Sequence, residues 1–67
     1  MTEQEFKKTM EHIVLSLNQS GYDPYEQLTG YITTGELNYI TRNGNAREII
    51  SGLDMLKVRS YVLRMKR

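Results

Sequence analysis

The residues able to carry out chemistry are few and poorly placed for it. His12 is the one histidine, and there is no cysteine. Paired-histidine and thiolate metal sites are therefore excluded. A Ser-His-Asp arrangement would have to use His12, which lies mid-helix by pattern with no nucleophile elbow nearby. Gly30 and Gly35 belong to no Walker or Rossmann pattern. The carboxylates are Glu3, Glu5, Glu11, Asp23, Glu26, Glu36, Glu48 and Asp54. Most stand at the start of a helical pattern, where an acid accepts from free amides and complements the helix dipole. Capping accounts for them better than acid–base work. A chain of 67 residues also has difficulty building a ligand pocket of ~300 Å³ or more. The residues point away from an enzyme, and no cofactor or metal is expected.

Two other residue types stand out. Tyrosine occurs 5 times, and its large apolar face with a polar tip suits both a small core and an interface. Tyr22, Tyr31 and Tyr39 fit either use. Beyond Met55 the charged residues are Lys57, Arg59, Arg64, Lys66 and Arg67, with no acid among them. Cations there complement a helix C-terminus; the sharper alternative is a patch for nucleic acid or an acidic partner. The overall pI of about 8.0 lies below the ~9 of a committed nucleic-acid binder and favours the first reading.

The elements that must position these groups are legible from their ends. Thr2-Glu3-Gln4-Glu5 has the form of a capping box. Behind it Phe6, Met10, Ile13, Val14 and Leu17 share a helical face, and Gly21 is a natural stop. Asp23-Pro24-Tyr25-Glu26 opens a second helix, with the proline at the first helical position. Tyr25, Leu28 and Ile32 line its inner face beside Tyr31. Gly30 interrupts it at a cost of roughly 1 kcal/mol against alanine, which suggests close approach by another backbone, such as that of a partner chain. Asn45, with Glu48 three residues on, reads as a cap for a third helix, and Asp54 as a cap for a fourth in which Met55, Val58, Val62 and Met65 recur. Gly52 either breaks or bends the chain between them.

The stretch Tyr31–Thr41 repeats Tyr-Ile-Thr and admits a β-hairpin. A lone hairpin is marginal without a third strand, and none is found. The favoured reading ends the second helix near Thr33 or Thr34 with Gly35 as its cap, followed by an ordered loop at about 35–44 pinned by Leu37, Tyr39 and Ile40. The expected fold is all-α: one small domain over 1–67, with helices at about 3–19, 24–33, 46–52 and 54–66 and a fifth turn possible in the loop. With no disulfide and a small core, a homodimer is expected. No apolar run approaches the ~20 residues of a membrane span, and the N-terminus does not read as a signal peptide. The cytoplasm is the expected compartment.

Gly21-Tyr22-Asp23-Pro24, Gln27, Gly30-Tyr31, Gly35, Tyr39-Ile40, Arg42, Ala46-Arg47 and Ile50 resemble, without a gap, the pattern of the IreB family. That pattern runs roughly G-Y-N-P-x-x-Q-x-x-G-Y-x-x-S-G-x-x-x-Y-I-P-R-x-x-x-A-R-x-x-I. The resemblance implies an all-helical homodimer without enzymatic activity, in the cytoplasm of Gram-positive bacteria. It further implies a regulator named for a substrate of a membrane Ser/Thr kinase, in a pathway tuning the response to cell-wall stress. It marks Tyr22, Pro24, Gln27, Gly30, Tyr31, Gly35, Tyr39, Arg42 and Arg47 as candidate interaction or motif residues. The family's target threonines lie on an arm before the first helix; here Thr2 is the one candidate for phosphorylation, and it already has a capping role. Where the family has Asp-Pro after the loop glycine this chain has Glu36-Leu37, and Thr41 replaces its proline before the arginine, so the loop is expected to be less stiff.

The function expected is a non-catalytic regulator or adaptor working by protein–protein contact. The alternative is a small nucleic-acid-binding regulator using the basic last helix.

Overall fold

Thr2 starts the first helix through the bonds its spacing requires. Its hydroxyl oxygen accepts from the Glu5 amide at 3.1 Å, and the Glu5 carboxylate accepts from the Thr2 amide at 2.8 Å. Two amides that a helix end leaves unpaired are thereby satisfied. The helix, α1 (Glu3–Gln19), stops at a turn where Gly21 takes φ 88°. The computed structural model describes residues 1–65 of the chain.

Asp23 starts α2 (Pro24–Thr34): its Oδ1 accepts from the amides of Tyr25 and Glu26 at 2.9 and 3.5 Å. Gly35 closes it in the left-handed region, φ 76°, and donates its N–H to the Tyr31 carbonyl at 2.7 Å. Tyr31, Ile32 and Thr33 are thus helical. The second Tyr-Ile-Thr triplet belongs to a loop that opens with a single 3-10 turn (Leu37–Tyr39). The hairpin is absent, and no strand occurs among the described residues. The strong helix start at Asp23 and the glycine stop at Gly35 outweigh the β-propensity between them.

The remaining helices are α3 (Ala46–Ser51) and α4 (Met55–Arg64). Gly52 breaks rather than bends the chain, because Asp54 starts α4 afresh by accepting from the Leu56 amide at 2.8 Å. Two details depart from the sequence reading. Asn45 stands at the N-cap of α3 but makes no side-chain cap bond, its backbone being at φ −113°, ψ 12° instead of extended. Met65 is extended, at φ −70°, ψ 144°, so α4 ends at Arg64; the expected continuation to Lys66 lies outside the described residues, as does Arg67.

The inner faces meet in one cluster. Met10, Ile13 and Leu17 from α1, Leu28 and Tyr31 from α2, Ile40 from the loop, Ala46 and Ile50 from α3, and Val58 and Val62 from α4 are buried. Each larger member contributes roughly 1.5–3 kcal/mol, and no polar or charged residue among those described is buried with them. α1 packs on α2 and α3, and α2 on α4 and the 3-10 turn. The radius of gyration is 10.6 Å, close to the ~11 Å of a compact chain this long. No helix among the described residues is long and apolar enough to cross a membrane.

Candidate functional site

Of the loop between Gly35 and Asn45, Leu37 packs partly buried against the core, and Ile40 lies in it with no exposed surface. Burying its side chain carries its backbone inward, where the peptide groups need partners. The peptide joining Ile40 to Thr41 finds them on both sides. Arg47 of α3 donates Nε and Nη2 to the Ile40 carbonyl at 2.9 and 2.7 Å. Gln27 of α2 accepts the Thr41 amide on its Oε1 at 2.8 Å. One peptide unit is therefore clamped between two helices, its oxygen by a guanidinium fork and its N–H by a side-chain amide. The charged donor makes the Arg47 side the stronger bond.

The clamp changes the reading of Thr41. A proline there would have no N–H to give Gln27. The threonine supplies that donor, and its Oγ1 also accepts from the Asn43 amide at 3.1 Å. At Thr41 the chain thus gains two hydrogen bonds that a proline could not make. The helix start that Asn45 does not cap is tied instead through Arg47.

Two glycines seat the same loop. At Gly30 an added Cβ would lie 2.6 Å from Tyr39 Cδ1 and 3.2 Å from Tyr39 Cβ. The close neighbour that the mid-helix glycine implied is thus the Tyr39 side chain of the same chain and not a second backbone. At Gly44, where φ is 72°, an added Cβ would meet Ser16 Oγ at 2.8 Å, so the far end of the loop rests on α1.

Of the residues singled out in the sequence, Gln27, Gly30, Tyr39 and Arg47 come together around this loop. Tyr31 is buried beneath, and its carbonyl anchors Gly35. Pro24 has its place in the first turn of α2. Tyr22, in the turn between α1 and α2, and Arg42, in the loop, are exposed; neither bonds to the clamped peptide. Thr2 serves the α1 cap. His12 is exposed on α1, and no group of three or more metal-ligating side chains exists among the described residues.

A concavity that the sequence reading missed lies between the first turns of α1 and the outer side of α4. Its volume is about 410 Å³, and it is open to solvent along one side. Phe6 and Tyr61 meet edge to face in it, with ring centroids 6.3 Å apart and planes at 78°. Lys7, Lys57, Arg64 and Leu56 stand around them. Burial raises the pKa of the Tyr61 phenol above its ordinary value, and the Glu11 carboxylate adds to the effect. The available signal was Leu56, an apolar residue on α4 off its core stripe, which remains 75% exposed.

The family model described as "IreB regulatory phosphoprotein" matches residues 1–65. A protein named "UPF0297 protein" from Ruminiclostridium cellulolyticum is 36% identical over 62 residues, 92% of this chain and 70% of that protein. Another of the same name, from Lachnoclostridium phytofermentans, is 41% identical over 44 residues, 66% of this chain and 50% of its own length. No solved structure matches the chain.

Proposed function

Since the chain belongs to the IreB family of regulatory phosphoproteins, we propose that it is a non-catalytic cytoplasmic regulator acting through protein–protein contacts. In this reading it works as a homodimer in a Ser/Thr-kinase-linked response to cell-wall stress. One observation carries the non-catalytic part. Two of the polar motif side chains, Arg47 and Gln27, are engaged in holding one peptide of a loop. A loop fixed in this way presents Arg42 and one face of Tyr39 to a partner at little entropic loss on binding.

Thr2 is the candidate for modification. A phosphate on its oxygen would sit at a helix N-terminus, where the dipole favours it, but beside Glu3 and Glu5, whose charge opposes it.

The test is recovery of the tagged chain from stressed and unstressed bacterial cells, with bound proteins and the chain's own intact mass read by mass spectrometry. The expected result is a protein partner recovered with the chain, and a phosphoryl increment that changes with wall stress. Retention of nucleic acid alone, lost steeply as salt rises, would overturn the reading in favour of the nucleic-acid alternative.

A further inference from the structure

We propose that the groove between α1 and α4 is the docking site for an acidic protein segment carrying bulky apolar side chains. The proposal rests on the reading of the chain as a protein-contact regulator and assigns that contact a surface. Three features support it. The groove, at about 410 Å³, falls within the range of formed binding pockets. Its floor holds the edge-to-face pair Phe6 and Tyr61, and Leu56, 75% exposed, stands at the rim. Its rim is cationic: Lys7 lines the α1 side and Lys57 and Arg64 the α4 side, against the carboxylate of Glu3 in the lining and that of Glu11, which acts on Tyr61.

Charge complementarity selects the occupant. Cations on both walls leave a net positive slot, which attracts carboxylates and repels basic segments. A second copy of this chain fits poorly. A two-fold contact through the groove would set the same cations against each other. A flat anionic membrane would touch the rim but not the aromatic floor. A segment with acids flanking a leucine or phenylalanine fills both parts: the apolar side chain enters between Phe6, Leu56 and Tyr61, and the acids reach Lys7, Lys57 and Arg64. Arg59, on the same helix, is exposed but lies outside the lining, so it reports on general charge and not on the groove.

The test uses the full chain and a fluorescein-labelled peptide of alternating glutamate and leucine pairs, read by fluorescence anisotropy at low and moderate salt. A lysine-for-glutamate version of the peptide, anionic phospholipid vesicles and labelled duplex DNA form the other arms. The acidic peptide is expected to bind saturably and the basic peptide not to bind. The Lys57→Glu/Arg64→Glu double variant should bind the acidic peptide about tenfold more weakly or worse. Leu56→Ala should weaken binding without changing the melting temperature, since Leu56 contributes little to the core. Arg59→Glu should leave binding within about twofold, its charge being screened from the groove.

Equal losses from Arg59→Glu and from the groove variants would reduce the effect to net charge and overturn the proposal. So would binding to vesicles or DNA, but not to the peptide, that vanishes in the double variant. A protein partner recovered from cells equally by wild type and by the double variant would overturn the groove while leaving the regulatory reading standing. Absence of any protein partner, with the peptide still bound, would remove the regulatory reading instead.

Discussion

At the scale of single residues, Arg47 and Gly30 are each constrained by a specific contact with the loop. Arg47 bonds one carbonyl through two nitrogens of a planar fork, a geometry that the point charge of lysine does not reproduce. Arg47→Lys should therefore lower the melting temperature by several degrees, the shift expected from ~1 kcal/mol in a domain this size, as read by circular dichroism. An unchanged melting temperature with lost partner recovery would make the residue a binding determinant instead. Gly30 sets two effects against each other. Alanine would gain about 1 kcal/mol of helix propensity, but its Cβ would meet Tyr39 at 2.6 Å, and Tyr39 Cβ at 3.2 Å. Because the contact reaches the root of the tyrosine side chain, a rotamer change alone does not relieve it. Gly30→Ala should destabilise the fold, and Tyr39→Ala should recover part of that loss in the double variant. Simple additivity of the two substitutions would show that Tyr39 does not press on Gly30.

At the scale of elements, each long helix begins at an acidic or hydroxyl cap, and these caps give the fold a dependence on pH. The amide and hydroxyl of Thr2 hold the Glu5 carboxyl below its ordinary value of 4.5. A carboxylate lowered in the folded state contributes stability above its unfolded pKa and loses it as pH falls through the folded value. Helicity and melting temperature should therefore decline as pH drops below about 4.5, and Glu5→Gln, which keeps a capping amide oxygen but does not titrate, should show a shallower decline. Tyr61 acts at the other extreme. Its phenol is raised by burial, so its contribution is complete below about pH 10 and falls as pH rises beyond that. The two shifts place the most stable range between them. A melting temperature that is flat from neutral pH down to pH 3 would refute the role given to the α1 cap.

At the scale of the whole molecule, ten buried residues among those described form the core of a chain short enough that a partner is expected to contribute to its stability. If the chain is a homodimer, its melting temperature should rise with concentration and sedimentation should give twice the monomer mass in the micromolar range. A monomer with concentration-independent unfolding would limit the protein to hetero-association. Exposed Leu15 and Leu63, outside the groove lining, are apolar surface available to such contacts. By itself the sequence determined where α1, α2 and α4 start and where α2 stops, because capping joins residues two to four positions apart: Thr2 with Glu5, Asp23 with Tyr25 and Glu26, Gly35 with Tyr31, Asp54 with Leu56. It also determined the inner faces, since helical period alone groups Met10 with Ile13 and Leu17, and Val58 with Val62. It placed Asn45 at a cap without revealing that the cap bond is absent. It marked Gln27, Gly30, Tyr39 and Arg47 without saying what each touches. Only the tertiary structure decided that Gln27 and Arg47 hold opposite ends of one peptide and that Gly30 makes room for Tyr39. It alone placed the cations of α1 and α4 across a shared groove. Those relations depend on how two helices lie against each other, and that is fixed by packing of the whole core, which no local spacing encodes.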